Sequence, residues 1–383
     1  MREALVNARV LVDGAIVQDR AVVLDDGRIG AVVPSKEVSA RSHRITDLGG
    51  GTLLPGFVDT QVNGGGGALF NEDPSVETIR IIGAAHRRFG TTAFLPTLIS
   101  DDISVIARAI EAVRDAMRER VPGVIGIHIE GPCLNEERKG AHDADKFRGL
   151  EAEDVKLLSS LGAGRTLVTL APEMTTPEMI AALAANGVVV SAGHTNATYE
   201  EIARALPHGL TGFTHLFNAM SPLTSRAPGA VGAALASDES WCGIIVDGHH
   251  VDPVVLRIAL HAKRRDRFML VTDAMPSVGS DQDSFMLQGR RIMVRDGLCV
   301  DDQGVITGSA LDMASAVRNS VEMLGLDLVE AARMASTYPA AFLGLEDEIG
   351  QIAPGRRANL VHVDHGVQVR RTWIDGRAEV HAA

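Results

Sequence analysis

Three side chains that could bind one divalent metal ion stand at the ends of three separate apolar runs in this sequence. They are Glu130, His194 and His215. A carboxylate oxygen and two neutral imidazole nitrogens form a ligand set that catalytic Zn²⁺ takes while one position stays open for water. One such histidine alone could simply hydrogen-bond a loop, but three coincident run ends favour a metal. The same ligands could hold Fe²⁺, Mn²⁺ or Co²⁺.

Two further residues could complete a hydrolytic site. Asp273 ends another apolar run and has no basic neighbour in sequence. Its carboxylate could take a proton from water and deliver it to a leaving amine, although support of a metal-binding histidine is the alternative. His142 lies on a long loop after Glu130 and could polarise a substrate carbonyl, or be a surface histidine without a role.

A third group could hold an anion. The segment 214–220 supplies Asn218 directly behind His215, and Arg226 follows a few residues later. Amide groups and a guanidinium fork bind planar or phosphate oxygens well. The alternative for Arg226 is an ordinary solvated charge.

The elements that must position these residues alternate between short apolar runs and helical patterns. The helical patterns include residues 76–89, 103–120, 177–186 and 254–262. The eight runs are residues 56–61, 92–97, 124–131, 167–172, 188–194, 212–217, 243–248 and 268–274. This alternation predicts an α/β protein built on a (β/α)₈ TIM-like barrel, because nearly every chemically capable side chain ends a run. An open doubly wound sheet is the competing fold.

Both chain ends instead show alternating residues with Asp-Gly turns, which is typical of hairpins. We therefore expect residues 1–50 and 350–383 to form a small flanking β-sandwich domain, and residues 51–349 to form the barrel. Residues 285–306 are expected to form an inserted hairpin, with helices at 311–324 and 328–343.

The amino-acid composition limits which macromolecules the protein can bind. The 383 residues carry 37 Lys+Arg against 49 Asp+Glu, a net charge of −12, which argues against a nucleic acid or an anionic membrane as partner. The three cysteines are far apart and fit no disulfide framework, so a reducing, cytoplasmic location is expected. Among the remaining histidines, His128 is expected in the barrel core, and His86, His208 and His261 in solvent.

Taken together, the motifs resemble the amidohydrolase superfamily and, within it, the N-acetylglucosamine-6-phosphate deacetylase family, over nearly the whole chain. The motifs are residues 54–59 (LPGFVD), 128–132 (HIEGP), 139–142 (KGAH), 193–195 (GHT), 214–220 (THLFNAM), 247–250 (DGHH) and 272–274 (TDA). The resemblance implies one divalent ion, Zn²⁺ by preference, on Glu130, His194 and His215. It also implies Asp273 as the acid/base and His142 as the group that polarises an acetamide carbonyl.

For the substrate, the resemblance implies contacts from Asn218 and Ala219 and phosphate binding by Arg226 and His250. It implies a phosphorylated amino-sugar substrate and a homodimer with a shared active site. The implied reaction is hydrolysis of N-acetylglucosamine 6-phosphate to glucosamine 6-phosphate and acetate. Another amidohydrolase reaction, such as cyclic amide hydrolysis or deamination, and a non-catalytic barrel scaffold are the alternatives.

One departure from the superfamily affects the metal count. Much of the superfamily has His-x-His after the first strand, whereas this chain has Gln61-Val62-Asn63. Amide side chains bind metals far less well than imidazole. No lysine ends any of the eight runs, so a bridging carboxylated lysine is not expected. We therefore predict a single metal ion.

Overall fold

Eight parallel strands form the central sheet, and they neighbour one another in chain order. The coordinates are a computed structural model that describes residues 2–295 and 297–381. We label these strands β1 to β8; they are Phe57–Val62, Thr91–Ile99, Gly126–Glu130, Arg165–Leu170, Val189–Ala192, Leu210–Phe213, Trp241–Ile244 and Phe268–Leu270. Each one overlaps a predicted apolar run, although Leu210–Phe213 and Trp241–Ile244 begin two residues before the predicted runs 212–217 and 243–248.

The sheet closes on itself just beyond β8. The Asp273 N–H donates to the Gln61 carbonyl at 3.0 Å, and the Asn63 N–H donates to the Ala274 carbonyl at 2.9 Å. A parallel bridge joins Val62 to Ala274. An open doubly wound sheet would leave β1 and β8 as edges, so that alternative is wrong and the predicted barrel is confirmed.

Helices follow most of the strands and cover the outside of the barrel. The α-helices are Val76–Arg87, Ile103–Arg118, Ala152–Leu158, Pro177–Ala185, Tyr199–Ala205, Gly229–Ala236, Pro253–Ala262, Met313–Glu322, Leu328–Ala335 and Thr337–Phe342. One-turn 3₁₀ helices lie at Ser35–Glu37, Glu136–Arg138, Ala144–Lys146, Pro172–Met174, Leu206–His208 and Arg265–Arg267. None of the helices in the described ranges has both the length and the apolar character needed to cross a bilayer.

Helix starts agree with local sequence signals, whereas one predicted helix is divided. Thr198 and Glu201 form a reciprocal capping box at the start of Tyr199–Ala205. The single helix predicted over 328–343 is wrong, because the chain turns at Ser336, where φ is −138°. Pro339 contributes to this break, since it has no N–H to continue the hydrogen-bond ladder.

The chain ends build two further sheets. One is ordered Ala15–Val17, Arg9–Val12, Thr52–Pro55, Leu360–Val363, Val369–Ile374 and Arg377–Val380; the other is ordered Arg28–Pro34, Arg20–Asp25, Arg2–Val6 and His43–Asp47. Leu5 and Val22 of the smaller sheet share one apolar cluster with Leu53, Leu360 and Trp373 of the larger. The expected flanking β layer from both chain ends is confirmed. The domain boundaries at 50 and 350 stay predictions, and the strand Thr52–Pro55 lies beyond the first of them.

The insert after β8 is larger than the expected hairpin. It is an antiparallel meander of Ser284–Leu287, Arg290–Arg295, Leu298–Val300 and Ile306–Ser309, with residue 296 outside the described residues. A short pair, Gly64–Gly65 with Ala68–Leu69, follows β1. The Ser309 N–H donates to the Asp273 carbonyl at 2.9 Å. The last strand of the insert therefore lies beside the end of β8.

Candidate active site

The three candidate metal ligands meet at the carboxyl ends of β3, β5 and β6. Glu130 Oε1 lies 3.1 Å from His194 Nε2 and 3.0 Å from His215 Nε2, and the two Nε2 atoms are 3.1 Å apart. Glu130 is 2% exposed and both histidines are buried. Bonds of about 2.0–2.1 Å to a tetrahedral ion require ligand atoms about 3.3 Å apart. The spacing therefore fits one ion.

The protonation pattern also fits a metal. His194 Nδ1 lies 2.8 Å from the carbonyl oxygen of Arg138, so Nδ1 carries the hydrogen and Nε2 keeps its lone pair. Burial opposes ionisation of Glu130, but the adjacent imidazole groups of His194 and His215 hold its pKa well below the usual range. A carboxylate and a free imidazole lone pair are thus directed at one point. No other group of three metal-binding side chains was found among residues 2–295 and 297–381.

Unusual backbone conformations direct these side chains into the barrel mouth. His194, His215 and Asp273 have φ values of 48°, 33° and 51°. Non-glycine residues rarely adopt this left-handed region, which costs about 1–3 kcal/mol per residue. The backbone passes close to Thr169 at Gly193, where a Cβ would lie 2.6 Å from Thr169 Cγ2. Strain at three of the candidate residues is typical of a functional site.

Asp273 lies beside the metal set and is held by two amides. Its Oδ1 accepts hydrogen bonds from Asn63 Nδ2 at 2.7 Å and from Gln61 Nε2 at 3.2 Å. Gln61 Nε2 also lies 3.2 Å from both oxygens of Glu130. Burial, followed by the charge of Glu130, raises the pKa of Asp273 to about 6. Such a carboxyl can exchange a proton near neutral pH.

His142 is buried next to His194, with their ring centroids 4.3 Å apart. Its Nδ1 lies 3.3 Å from the Ser100 N–H and 2.9 Å from Ser100 Oγ. A backbone N–H can only donate, so Nδ1 is the acceptor and the neutral ring carries its hydrogen on Nε2. Burial, followed by repulsion from His194, holds the pKa of His142 well below its ordinary value. His142 is therefore a neutral hydrogen-bond donor and not a surface histidine.

One cavity of about 170 Å³ contains the candidate groups. It is lined by Glu130, His142, His194, His215, Asn218, Ala219, His250 and Asp273, together with Asn63, Ile99, Gly140, Ala141, Met275, Leu287, Ile306, Thr307 and Gly308. Asn218, Ala219 and His250 give one polar part of the lining. Ile99, Met275 and Leu287 belong to an apolar cluster that the insert completes. The cavity thus has polar and apolar walls around one set of reactive groups.

Of the two residues expected to bind phosphate, Arg226 and His250, the structure brings only His250 into the cavity. The His250 side chain is 6% exposed, and its Nδ1 lies 2.5 Å from Asp247 Oδ2. Arg226 is exposed on the loop before Gly229–Ala236 and does not line this cavity. Asn218 Nδ2 donates to the carbonyl of His215 at 3.1 Å, which leaves the amide oxygen available to a ligand.

The remaining histidines divide between core and surface. His128 is buried and its Nε2 lies 2.8 Å from Thr169 Oγ1, in agreement with a core position. His208 and His261 are exposed as expected. The expectation for His86 is wrong: this residue is fully buried, and its Nε2 lies 2.9 Å from the Gly64 carbonyl oxygen, which satisfies one ring nitrogen.

Sequence reasoning missed residues that act through the backbone and residues of the insert. The Arg138 carbonyl that fixes the His194 tautomer has no sequence signal, because every residue carries a carbonyl. Leu287 and Thr307 reach the cavity only through tertiary packing of the insert. Ser100 was recognisable, since it is the first polar residue after the apolar end of β2.

A closed parallel barrel with Glu, His, His and Asp at its strand ends defines a class: barrel hydrolases with a metal centre at the mouth. The model of the amidohydrolase family matches residues 52–378. The chain belongs to the amidohydrolase family, whose members are metal-dependent.

The relatives and structural neighbours of this chain include deacetylases of phosphorylated amino sugars. An N-acetylgalactosamine-6-phosphate deacetylase of Shewanella sp. (strain ANA-3) is 45% identical, covering 96% of this chain and 94% of that protein. An N-acetylglucosamine-6-phosphate deacetylase of Haemophilus influenzae is 37% identical, covering 98% and 99%. A crystal structure of N-acetylglucosamine-6-phosphate deacetylase from Pasteurella multocida superposes with a TM-score of 0.96 at 37% identity over 100% of both chains.

A further neighbour was solved with a ligand. It is a mutant N-acetyl-D-glucosamine-6-phosphate deacetylase from Mycobacterium smegmatis in complex with N-acetyl-D-glucosamine-6-phosphate. It is 31% identical, with a TM-score of 0.91 over 98% of this chain and 99% of that one.

Proposed function

We propose that this protein is a metal-dependent deacetylase that hydrolyses the acetamide of N-acetylglucosamine 6-phosphate, releasing glucosamine 6-phosphate and acetate. The observation that carries the proposal is the convergence of Glu130, His194 and His215 beside Asp273 in one cavity. Relatives at 31–45% identity over nearly the whole chain are named as deacetylases of N-acetylglucosamine 6-phosphate or of N-acetylgalactosamine 6-phosphate. These names do not support the cyclic amide hydrolase, deaminase or scaffold alternatives.

Glu130, His194 and His215 would hold one divalent ion, preferably Zn²⁺. When bound, the ion supplies Lewis-acid polarisation of the acetamide carbonyl and activation of the attacking water. Asp273 takes the proton of that water on Oδ2, since its Oδ1 faces the amides of Asn63 and Gln61. Asp273 then delivers this proton to the nitrogen as the C–N bond breaks. The neutral Nε2–H of His142 donates to the carbonyl oxygen as negative charge develops there.

Two sugar epimers are candidate substrates, because a relative with 45% identity is named for N-acetylgalactosamine 6-phosphate. Hydrolysis of that epimer is therefore the second candidate function. The test compares kcat/KM for both N-acetylhexosamine 6-phosphates and for N-acetylglucosamine without phosphate. We expect the glucosamine derivative to be hydrolysed best. A preference for the galacto epimer would select the second candidate, and equal rates with and without phosphate would remove the proposed phosphate recognition.

The phosphate, by this proposal, is bound by His250 and Arg226, while Asn218 and Ala219 contact the sugar. Support for His250 is its position in the cavity, with Nδ1 held by Asp247. Arg226 lies outside the cavity of its own chain. We therefore propose a homodimer in which the phosphate-binding group is completed across the interface.

An exposed apolar helix face beside His250 supports the dimer. On Pro253–Ala262, Val254 is 52% exposed, Val255 is 37% exposed and Ile258 is 61% exposed. Exposed apolar patches of this kind mark protein interfaces. The three cysteines are all free and buried, which supports a cytoplasmic, reducing location.

A further inference from the structure

Glu173 follows β4 and takes no part in the proposed chemistry, yet its carboxylate joins two loops of the active site. Its Oε2 accepts a hydrogen bond from Thr195 Oγ1 at 2.6 Å. Its Oε1 accepts the Asn196 N–H at 2.6 Å and Asn135 Nδ2 at 3.0 Å. Thr195 and Asn196 directly follow the metal ligand His194. Asn135 lies on the loop between Glu130 and His142.

The same two loops make further contacts that end on His194. Arg138 Nε donates to Asn196 Oδ1 at 3.0 Å, and the Asn135 N–H donates to the His194 carbonyl at 2.9 Å. The Arg138 carbonyl then accepts the hydrogen of His194 Nδ1 at 2.8 Å. We call Glu173, Asn135, Arg138, Thr195 and Asn196 the Glu173 clasp.

We infer that Glu173 is a positioning residue that holds His194 in its metal-binding orientation through the Glu173 clasp. This inference rests on the proposed function, because it assigns His194 to a metal. Without the carboxylate, three donors lose their shared acceptor and the Arg138 carbonyl is no longer fixed opposite His194 Nδ1. Loss of a partner that orients a metal-binding histidine typically costs 10–100-fold in metal affinity.

The role is geometric rather than electrostatic, and this gives it a distinctive signature. In a Glu173→Gln variant the amide oxygen can still accept from Asn196 and Asn135, and the NH₂ group can donate to the Thr195 hydroxyl, which is able to accept. The neutral isostere should therefore keep the clasp, whereas Glu173→Ala should break it.

The test measures Zn²⁺ affinity of the full chain by competition with a chelator. Glu173→Ala should weaken Zn²⁺ binding by about 10–100-fold, and Glu173→Gln should restore it to within about threefold of wild type. The matched control is Glu137→Ala, because Glu137 contacts Asn196 Nδ2 at 2.7 Å from the same loop but is exposed. This control should bind Zn²⁺ like wild type.

The rise in melting temperature that Zn²⁺ binding produces is the readout that a merely structural role would leave unchanged. A structural role would lower the melting temperature equally with and without Zn²⁺, whereas our inference predicts that the stabilisation by Zn²⁺ itself shrinks. Wild-type affinity in Glu173→Ala, or equal losses in Glu173→Ala and Glu173→Gln, would overturn the inference. Failure of the wild-type protein to bind Zn²⁺ would overturn the proposed function as well.

Should Glu173→Ala not fold, Thr195→Val keeps the test decisive. It removes one donor to Glu173 while closely preserving the side-chain shape. We expect a Zn²⁺ affinity loss of about threefold to tenfold, and an unchanged affinity in that variant would equally overturn the inference.

Discussion

Asp273 is positioned by groups that replace metal ligands found elsewhere in the superfamily. Gln61 and Asn63 direct their NH₂ groups at its Oδ1, so these amides act as hydrogen-bond donors. The same Gln61 amide faces the oxygens of Glu130. Because these NH₂ groups offer no lone pair to a second ion, a single metal ion stays the prediction.

Substitution of Asp273 tests its role as the acid/base. Asp273→Asn should fold and bind Zn²⁺ but lose about 10²–10⁴-fold in kcat, because a neutral amide cannot accept the proton. In the wild type, kcat/KM should fall as pH drops through the Asp273 pKa, which lies at or below about 6 because a bound cation favours the carboxylate. Steady-state pH profiles of both proteins check this, and near-normal turnover of Asp273→Asn would refute the assignment.

Asp59 gives a separate prediction about stability. Burial raises its pKa to about 7, although it accepts hydrogen bonds from the Thr272 hydroxyl and the Gln61 N–H. The unfolded carboxyl titrates near 4, so between about pH 4 and 7 the folded chain holds the extra proton and the unfolding free energy falls as pH rises.

An Asp59→Asn variant should lack this contribution and therefore gain stability relative to wild type across that window, by at most about 4 kcal/mol. Asparagine fits, because Thr272 Oγ1 can redirect its hydrogen to the Gln61 carbonyl at 3.3 Å. Urea unfolding of metal-free protein at several pH values measures the difference. Parallel stability profiles for the two proteins would contradict the prediction.

At this scale the sequence predicted the identity of the main candidate residues but not their orientation. Glu130, His194, His215 and Asp273 are recognisable because each ends an apolar run. The left-handed backbone conformations of His194, His215 and Asp273, and the tautomers of His194 and His142, depend on contacts between distant segments, which no local pattern encodes.

Among the elements, the insert after β8 has a direct effect on the site. Its strand Ser284–Leu287 places Leu287 in the cavity and Met286 in solvent, since alternate residues face opposite sides of a strand. The amide carbon of the substrate carries the sugar nitrogen and the methyl group in different directions. If the sugar lies on the side of Asn218 and His250 as proposed, we expect its acetyl methyl group to face the apolar side of the cavity, which Ile99, Met275 and Leu287 form.

Truncating the Leu287 side chain should enlarge the apolar side of the cavity and relax discrimination against longer acyl groups. We expect Leu287→Ala to raise the ratio of kcat/KM for the N-propionyl substrate over the N-acetyl substrate by about 10-fold or more, because one methylene in an apolar pocket is worth about 10–200-fold. Met286→Ala, on the exposed face of the same strand, is the control. An unchanged ratio in Leu287→Ala would remove the insert from acyl selection.

The sequence predicted all eight barrel strands because strands buried on both faces give continuous apolar runs. It failed on the number of strands in the insert and on the helix over 328–343. Short antiparallel strands with partly exposed faces give weak periodicity, and Pro339 falls within the first turn after the break, where proline is also compatible with a helix.

For the whole molecule, one chain supplies the metal set and His250 but keeps Arg226 outside its cavity. Composition and local pattern could not predict an interface, because exposed apolar residues are recognisable only once the helix Pro253–Ala262 has been placed. The resemblance to known deacetylases was the sole source of the dimer prediction.

If the dimer completes the active site, a substitution that prevents dimerisation should also lower activity. Ile258→Asp places a charge on the exposed apolar face and should shift the protein from dimer to monomer in light scattering, with a lower kcat/KM on the phosphorylated substrate. Ile103→Asp is the matched control, because Ile103 is 42% exposed on a helix elsewhere around the barrel. A wild-type monomer with full activity would exclude the shared site.

Titration of metal-stripped protein with Zn²⁺, following acetate release from N-acetylglucosamine 6-phosphate, tests the central claim most directly. We predict negligible activity after stripping, then a linear rise that stops at one ion per chain and is absent when His194 or His215 is replaced by alanine. Full activity without metal, or a rise that continues to two ions per chain, would contradict a single ion held by Glu130, His194 and His215.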